Sequence, residues 1–240
     1  MSQWLVQLQG DPFDLEEFPR WFPKGNVHAI TRNNETFLTG NAFNKFEKAA
    51  DVRDSAAQIL DEFSSVISLL WPSLKRPTIG HLIHENGDGE GKVHYVLVAE
   101  SATIRSKFSA AKISINGVPQ FDLDGPTQAE QLLEAARQDR CLQLVLAIWA
   151  DPIRTWPRLY RLLEELEAFL ESRVDVSGLT TKTERDRFTH SANSAEIAGK
   201  DARHRGGKFV PPKNPMGLNE ATTFIGQLIV AVLKQAKTNR

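Results

Sequence analysis

The chain has 240 residues, of which 41% are hydrophobic and 25% charged, and its formal net charge is −1. This composition suits a folded protein with its own core, and the single cysteine, Cys141, excludes an intrachain disulfide. The near-neutral charge excludes a polycation, and the lack of a basic leader or a long apolar run predicts a cytoplasmic protein that does not enter a membrane.

The first elements along the chain read as strands. Alternating apolar and polar residues at Trp4–Leu8 predict a half-buried strand. Val27–Thr31 and Thr36–Thr39 flank a short polar stretch that contains Asn33 and Asn34. Asparagine tolerates positive φ, so these two segments predict a β-hairpin.

A helix and a second hairpin follow. Apolar residues recur at helical spacing through Asp51–Leu70, which predicts an amphipathic helix. Thr78–His84 and Val93–Ala99 flank a glycine-rich tip and predict the second hairpin, and Ser101–Ile115 predicts one or two further strands. The Gly, Pro and Asp residues of Asn116–Gly125 are typical of a linker.

The second half reads as helices. Thr127, with Glu130 three residues later, matches a capping box and predicts the start of a helix that continues to Trp149. Asp151-Pro152 ends this pattern, and Trp156–Leu170 resumes it with an acidic outer face.

The remaining segments are more polar. Thr181–Asn193 predicts a short polar helix and Ser194–Pro212 a loop, and Asn214-Pro215 predicts the start of the last helix. The predicted fold class is therefore α+β, with a mixed sheet-plus-helix domain at residues 1–120 and an all-α helical domain at residues 126–240.

Reactive side chains concentrate between residues 185 and 205. Lys182–Lys213 holds eight basic and four acidic residues, although residues 126–240 together carry a net charge of only +3. Arginine offers donors that match phosphate, and histidine exchanges a proton near neutral pH. The candidate catalytic residues are His190, Arg185, Arg187, Asn193, Arg203 and His204. The alternative is that the segment is structural, with Arg203 and Asp201 holding the loop against the acidic face of Trp156–Glu171.

Part of this segment resembles a recurrent signature. The pattern R-F-x-H-x-A-N, then D-A-R-H, then P-P-x-N-P-M occupies Arg187–Asn193, Asp201–His204 and Pro211–Met216. Together with the opening at Trp4–Asp11, it resembles an uncharacterised bacterial protein family. That resemblance implies no activity. It favours Arg187, His190, Asn193, Arg203 and His204 over Arg185 as candidate site residues, because those five carry the signature.

A second resemblance is narrower. Arg185-Asp186-x-x-x-His190 resembles the R-x₄₋₆-H motif of HEPN-domain proteins, many of which are metal-independent ribonucleases of toxin and phage-defence systems. The resemblance covers residues 127–236 and implies that His190 is the acid/base, that Arg185 stabilises phosphate charge and that Asp186 orients the site. Residues five apart lie about 140° apart around a helix, so such a site requires a dimer.

The sequence leaves two hypotheses open. The first is a bacterial nucleic-acid-binding protein or metal-independent RNase of HEPN type, in defence or stress response, which binds RNA or another phosphate-bearing ligand. The alternative is a non-catalytic sensor or adaptor whose N-terminal sheet domain binds a protein partner; a homodimer is compatible with either. We expect no cofactor and no metal. His81 and His84 point to opposite faces of a strand, and the spacing of His81, His84 and His94 matches no zinc-binding pattern.

Overall fold

A computed structural model describes residues 3–85, 92–95, 114–115, 118–119, 125–202 and 211–238. The chain divides into two compact units, Met1–Glu130 and Gln131–Arg240. The first holds an antiparallel sheet with helices and the second is helical, which confirms the α+β fold class. Within the described residues, no helix combines the length and the apolar character needed to cross a membrane.

A five-stranded antiparallel sheet organises the first unit, in the order β2-β3-β1-β4-β5. Its strands are β1 Gln3–Gln9, β2 His28–Arg32, β3 Glu35–Thr39, β4 Thr78–Glu85 and β5 Lys92–Tyr95. The helices of this unit are α1 Pro12–Leu15, α2 Glu17–Trp21 and the long α3 Ala49–Leu70, which packs against β1 and β4. Ser114–Ile115 (β6) pairs with Val118–Pro119 (β7).

The first predicted β-hairpin is confirmed. Asn33 and Asn34 join β2 to β3 with φ of 51° and 63°, the left-handed conformation that asparagine tolerates. The alternation in β1 predicts one buried face, but both faces of β1 are buried: Leu5 is as inaccessible as Val6. Leu5 packs with Phe37 and Ile83 in a small cluster, since β3 and β4 pair with β1 on its two sides.

The second unit is a set of helices. They are α4 Gly125–Arg137, which spans the boundary between the units, α5 Arg140–Ala150, α6 Trp156–Leu170, α7 Lys182–Asn193, α8 Ala195–Ala198 and α9 Leu218–Thr238. Helix α6 packs against α5, α7 and α9, so its buried leucines lie at the centre of this unit. The predicted bounds of α6 are confirmed.

Three predicted boundaries in this unit are wrong. The single helix predicted from Thr127 to Trp149 is two helices, because the side chain of Asp139 accepts hydrogen bonds from the N–H groups of Cys141 and Leu142 and starts a new helix. The predicted loop at Ser194–Pro212 contains α8 and a 3₁₀ turn at Gly199–Asp201. The last helix begins at Leu218, after Asn214-Pro215.

Candidate functional site

The polar segment singled out by the sequence forms the helix α7. Thr181 caps its N-terminus, where its side chain accepts a hydrogen bond from the N–H of Glu184 at 3.2 Å. Phe188 is fully buried and lies within 6.3 Å, between ring centroids, of Trp156, Tyr160 and Phe224. This aromatic contact fixes the rotation of α7 and thereby decides which neighbours its charged side chains meet.

Arg185 is held by a carboxylate of α6. Its Nε and one terminal nitrogen donate to the two carboxylate oxygens of Glu167, at 2.6 and 2.8 Å. Both side chains are more than four-fifths buried. The hydrogen bonds to Glu167 raise the pKa of Arg185 above its ordinary value, although burial acts in the opposite direction. The forked pair uses the donors that a phosphate would require.

Asp175 extends this network. Its carboxylate lies 3.0 Å from Nε of Arg173 and 3.6 Å from Nε of Arg185. Burial favours a higher pKa of Asp175, but the hydrogen bond from Arg173 and the charges of both arginines outweigh it, so the pKa lies below its ordinary value. Asp186, which the HEPN resemblance assigns to orientation of the site, lies 3.5 Å from Arg173 and 4.0 Å from Arg185.

Arg187 points away from Arg185, toward the start of α9. Its guanidinium lies 2.7 Å from the carboxylate of Glu220 and 3.4 Å from that of Glu184, and its Nε donates to the backbone carbonyl of Asn214 at 2.6 Å. The Arg187 side chain is only 16% exposed. It therefore joins the end of the segment before α9 to α7.

Asn193 is also buried. Its Nδ2 donates to the carbonyl of Thr189 at 2.8 Å, and its Oδ1 has no partner among the described residues. Ser191, one turn from Arg187, accepts a hydrogen bond from the N–H of Met216 at 2.9 Å. The hydrogen bonds found for Asn193 and Ser191 are therefore made within this unit.

Among the candidate residues that the structure describes, His190 is the exposed one. The structure thus directs Arg185 of α7 toward α6 and Arg187 toward α9, buries Asn193 and leaves His190 at the surface. Among the described residues, the candidate side chains do not converge on one cleft. Arg203 and His204 lie outside the described residues, so their place in the site stays a prediction.

His81 and His84 of the sheet unit lie apart. His84 stacks on Trp4 with ring centroids 4.2 Å apart, whereas His81 meets the edge of Phe37 at 6.2 Å. Trp4 and Phe37 lie on opposite faces of the sheet, as the alternation along β4 predicts for the two histidines. Within the described ranges, no group of three His, Cys, Asp or Glu side chains could hold a metal ion.

Helix α5 has an apolar face exposed to solvent, which was not predicted from the sequence. Its buried side holds Leu142, Val145, Leu146 and Trp149. Its other side also carries apolar residues, at Leu144, Ala147 and Ile148, and Leu144 is 40% exposed. An exposed helix is ordinarily polar on its outer face. Apolar residues on both sides of Cys141–Trp149 were the signal in the sequence.

This outer face borders a groove between α5 and α6. The groove has a volume of about 390 Å³ and is lined by Ala147, Ile148, Asp151, Pro157, Arg158 and Arg161. The turn that joins the two helices presents Ile153, which is 63% exposed. We call Leu144, Ala147, Ile148, Ile153 and this groove the α5–α6 surface.

A second groove of about 430 Å³ lies between α6 and Lys200–Ala202, and it shares Pro157 and Arg161 with the first groove. Trp156 and Tyr160 supply its aromatic wall. Its charges are balanced, because Arg161 and Lys200 lie with Glu164 and Asp201. The described residues that line this groove therefore carry equal numbers of positive and negative charges.

Comparisons with protein-family models, with curated proteins and with solved structures found no match to this chain. The resemblance to HEPN-domain proteins and the resemblance to the bacterial signature therefore stay predictions.

Proposed function

We propose that the protein is a non-catalytic adaptor that binds a protein partner through its second unit. The observation that carries this proposal is the exposed apolar outer face of α5. Leu144 and Ile153 are 40% and 63% exposed, and a shallow groove lined in part by Ala147 and Ile148 of α5 lies between that helix and α6. Apolar patches of this kind, rimmed by polar residues, mark interaction sites. The sequence hypothesis placed the partner on the sheet unit, and this proposal moves it to the helical unit.

The contacts of α7 support an adaptor over a nuclease. The HEPN resemblance requires an arginine that is free to meet the phosphate beside an acid/base group. Glu167 occupies Nε and one terminal nitrogen of Arg185, and Glu220, Glu184 and a backbone carbonyl lie against the guanidinium of Arg187. Release of Arg185 would leave the carboxylate of Glu167 unpaired in the interior, which is costly.

A site-directed photo-crosslinking experiment in cells tests the adaptor proposal. A photoreactive phenylalanine analogue at Leu144 or Ile153 should trap one and the same protein, identified by mass spectrometry. The analogue at Glu134, an exposed residue of α4, is the matched control and should not trap it. The product should disappear when Ile148→Gln is added. If Leu144 and Ile153 trap no common protein, the proposal fails.

The metal-independent RNase of HEPN type remains the second candidate, and one observation favours it: His190 is exposed on the surface of α7. Purified protein and its His190→Ala variant should be incubated with single-stranded RNA and EDTA. The adaptor proposal predicts no cleavage by either protein. Cleavage by the native chain that His190→Ala abolishes would establish the nuclease instead.

A further inference from the structure

We draw no further inference here: the strongest candidate, the groove between α6 and Lys200–Ala202, is lined by equal numbers of cationic and anionic side chains, of which Arg161 is already paired with Glu165, so the described residues favour no single class of ligand.

Discussion

Helices α7 and α5 belong to the same unit, and each has an unusual composition. The arginine side chains of α7 are paired within the fold, whereas apolar side chains of α5 remain exposed to solvent. Helix α7 is rich in charge, yet its arginines reach carboxylates of α6 and α9. Helix α5 is rich in apolar residues, yet Leu144 on its outer face remains 40% exposed. An unusual composition thus makes a segment a candidate binding surface only where the fold leaves its side chains without partners.

The largest expected effect concerns the stability that α7 provides. Arg185→Ala should lower the free energy of unfolding by about 2 kcal/mol, because it leaves the carboxylate of Glu167 largely buried and unpaired. Arg187→Ala should cost about 1 kcal/mol, since its partner Glu220 is 49% exposed and can be solvated. Urea denaturation followed by circular dichroism measures both.

The exposed Lys182→Ala is the control for these two variants and should be nearly neutral. Arg185→Lys should recover only part of the lost stability, because lysine cannot form the forked pair. If Arg185→Ala unfolds at the same urea concentration as Lys182→Ala, the interpretation of α7 as a structural helix is wrong.

A smaller effect should appear at acidic pH. The pKa of Asp175 in the folded chain is lower than the unfolded value of about 3.9. The ionised carboxylate therefore stabilises the fold above about pH 4, and this contribution is lost as the pH falls toward the folded pKa. Asp175→Asn should show a shallower loss of stability below about pH 4 than the native chain.

Acid denaturation monitored by circular dichroism checks this difference. Glu134→Gln, at an exposed position of α4, is the control for removal of a carboxylate and should retain the native pH profile. Identical profiles for the native chain and Asp175→Asn would show that Asp175 does not contribute through its charge.

The smallest effect on stability is expected on α5. Leu144→Gln and Ile153→Gln should change the free energy of unfolding by less than about 0.5 kcal/mol, because both side chains are already exposed. Denaturation of these variants beside Leu142→Gln, which changes the buried side of the same helix and should be strongly destabilising, measures the difference. A large loss from Leu144→Gln would mean that its side chain supports the fold, and the comparison with α7 would fail.

Much of the local structure could be predicted from short-range patterns. The hairpin at Asn33 and Asn34 and the helix α6 follow from turn chemistry and periodicity, which depend on neighbours along the chain. The break before α5 was missed because the side chain of Asp139 started a new helix within a continuous apolar pattern. Residues 101–113, where strands were predicted, and the glycine-rich tip lie outside the described residues.

The candidate site could be predicted less well. The sequence identified the polar segment but not the partners of its arginines, since Glu167 and Glu220 are far from Arg185 and Arg187 along the chain. The exposed face of α5 was not predicted, because a run of apolar residues indicates a buried segment and does not show which of its side chains face the solvent.

By itself, the sequence determined the fold class, the turn of the first hairpin, and where the charged and apolar residues concentrate, because these depend on composition and on local geometry. Only the tertiary structure decided which of the charged residues are paired and which of the apolar residues are buried. The rotation of α7 set by Phe188 directs Arg185 into a carboxylate, and the packing of α5 on α6 leaves one apolar face in water. Both outcomes depend on contacts between segments that are distant in the chain, which no local pattern encodes.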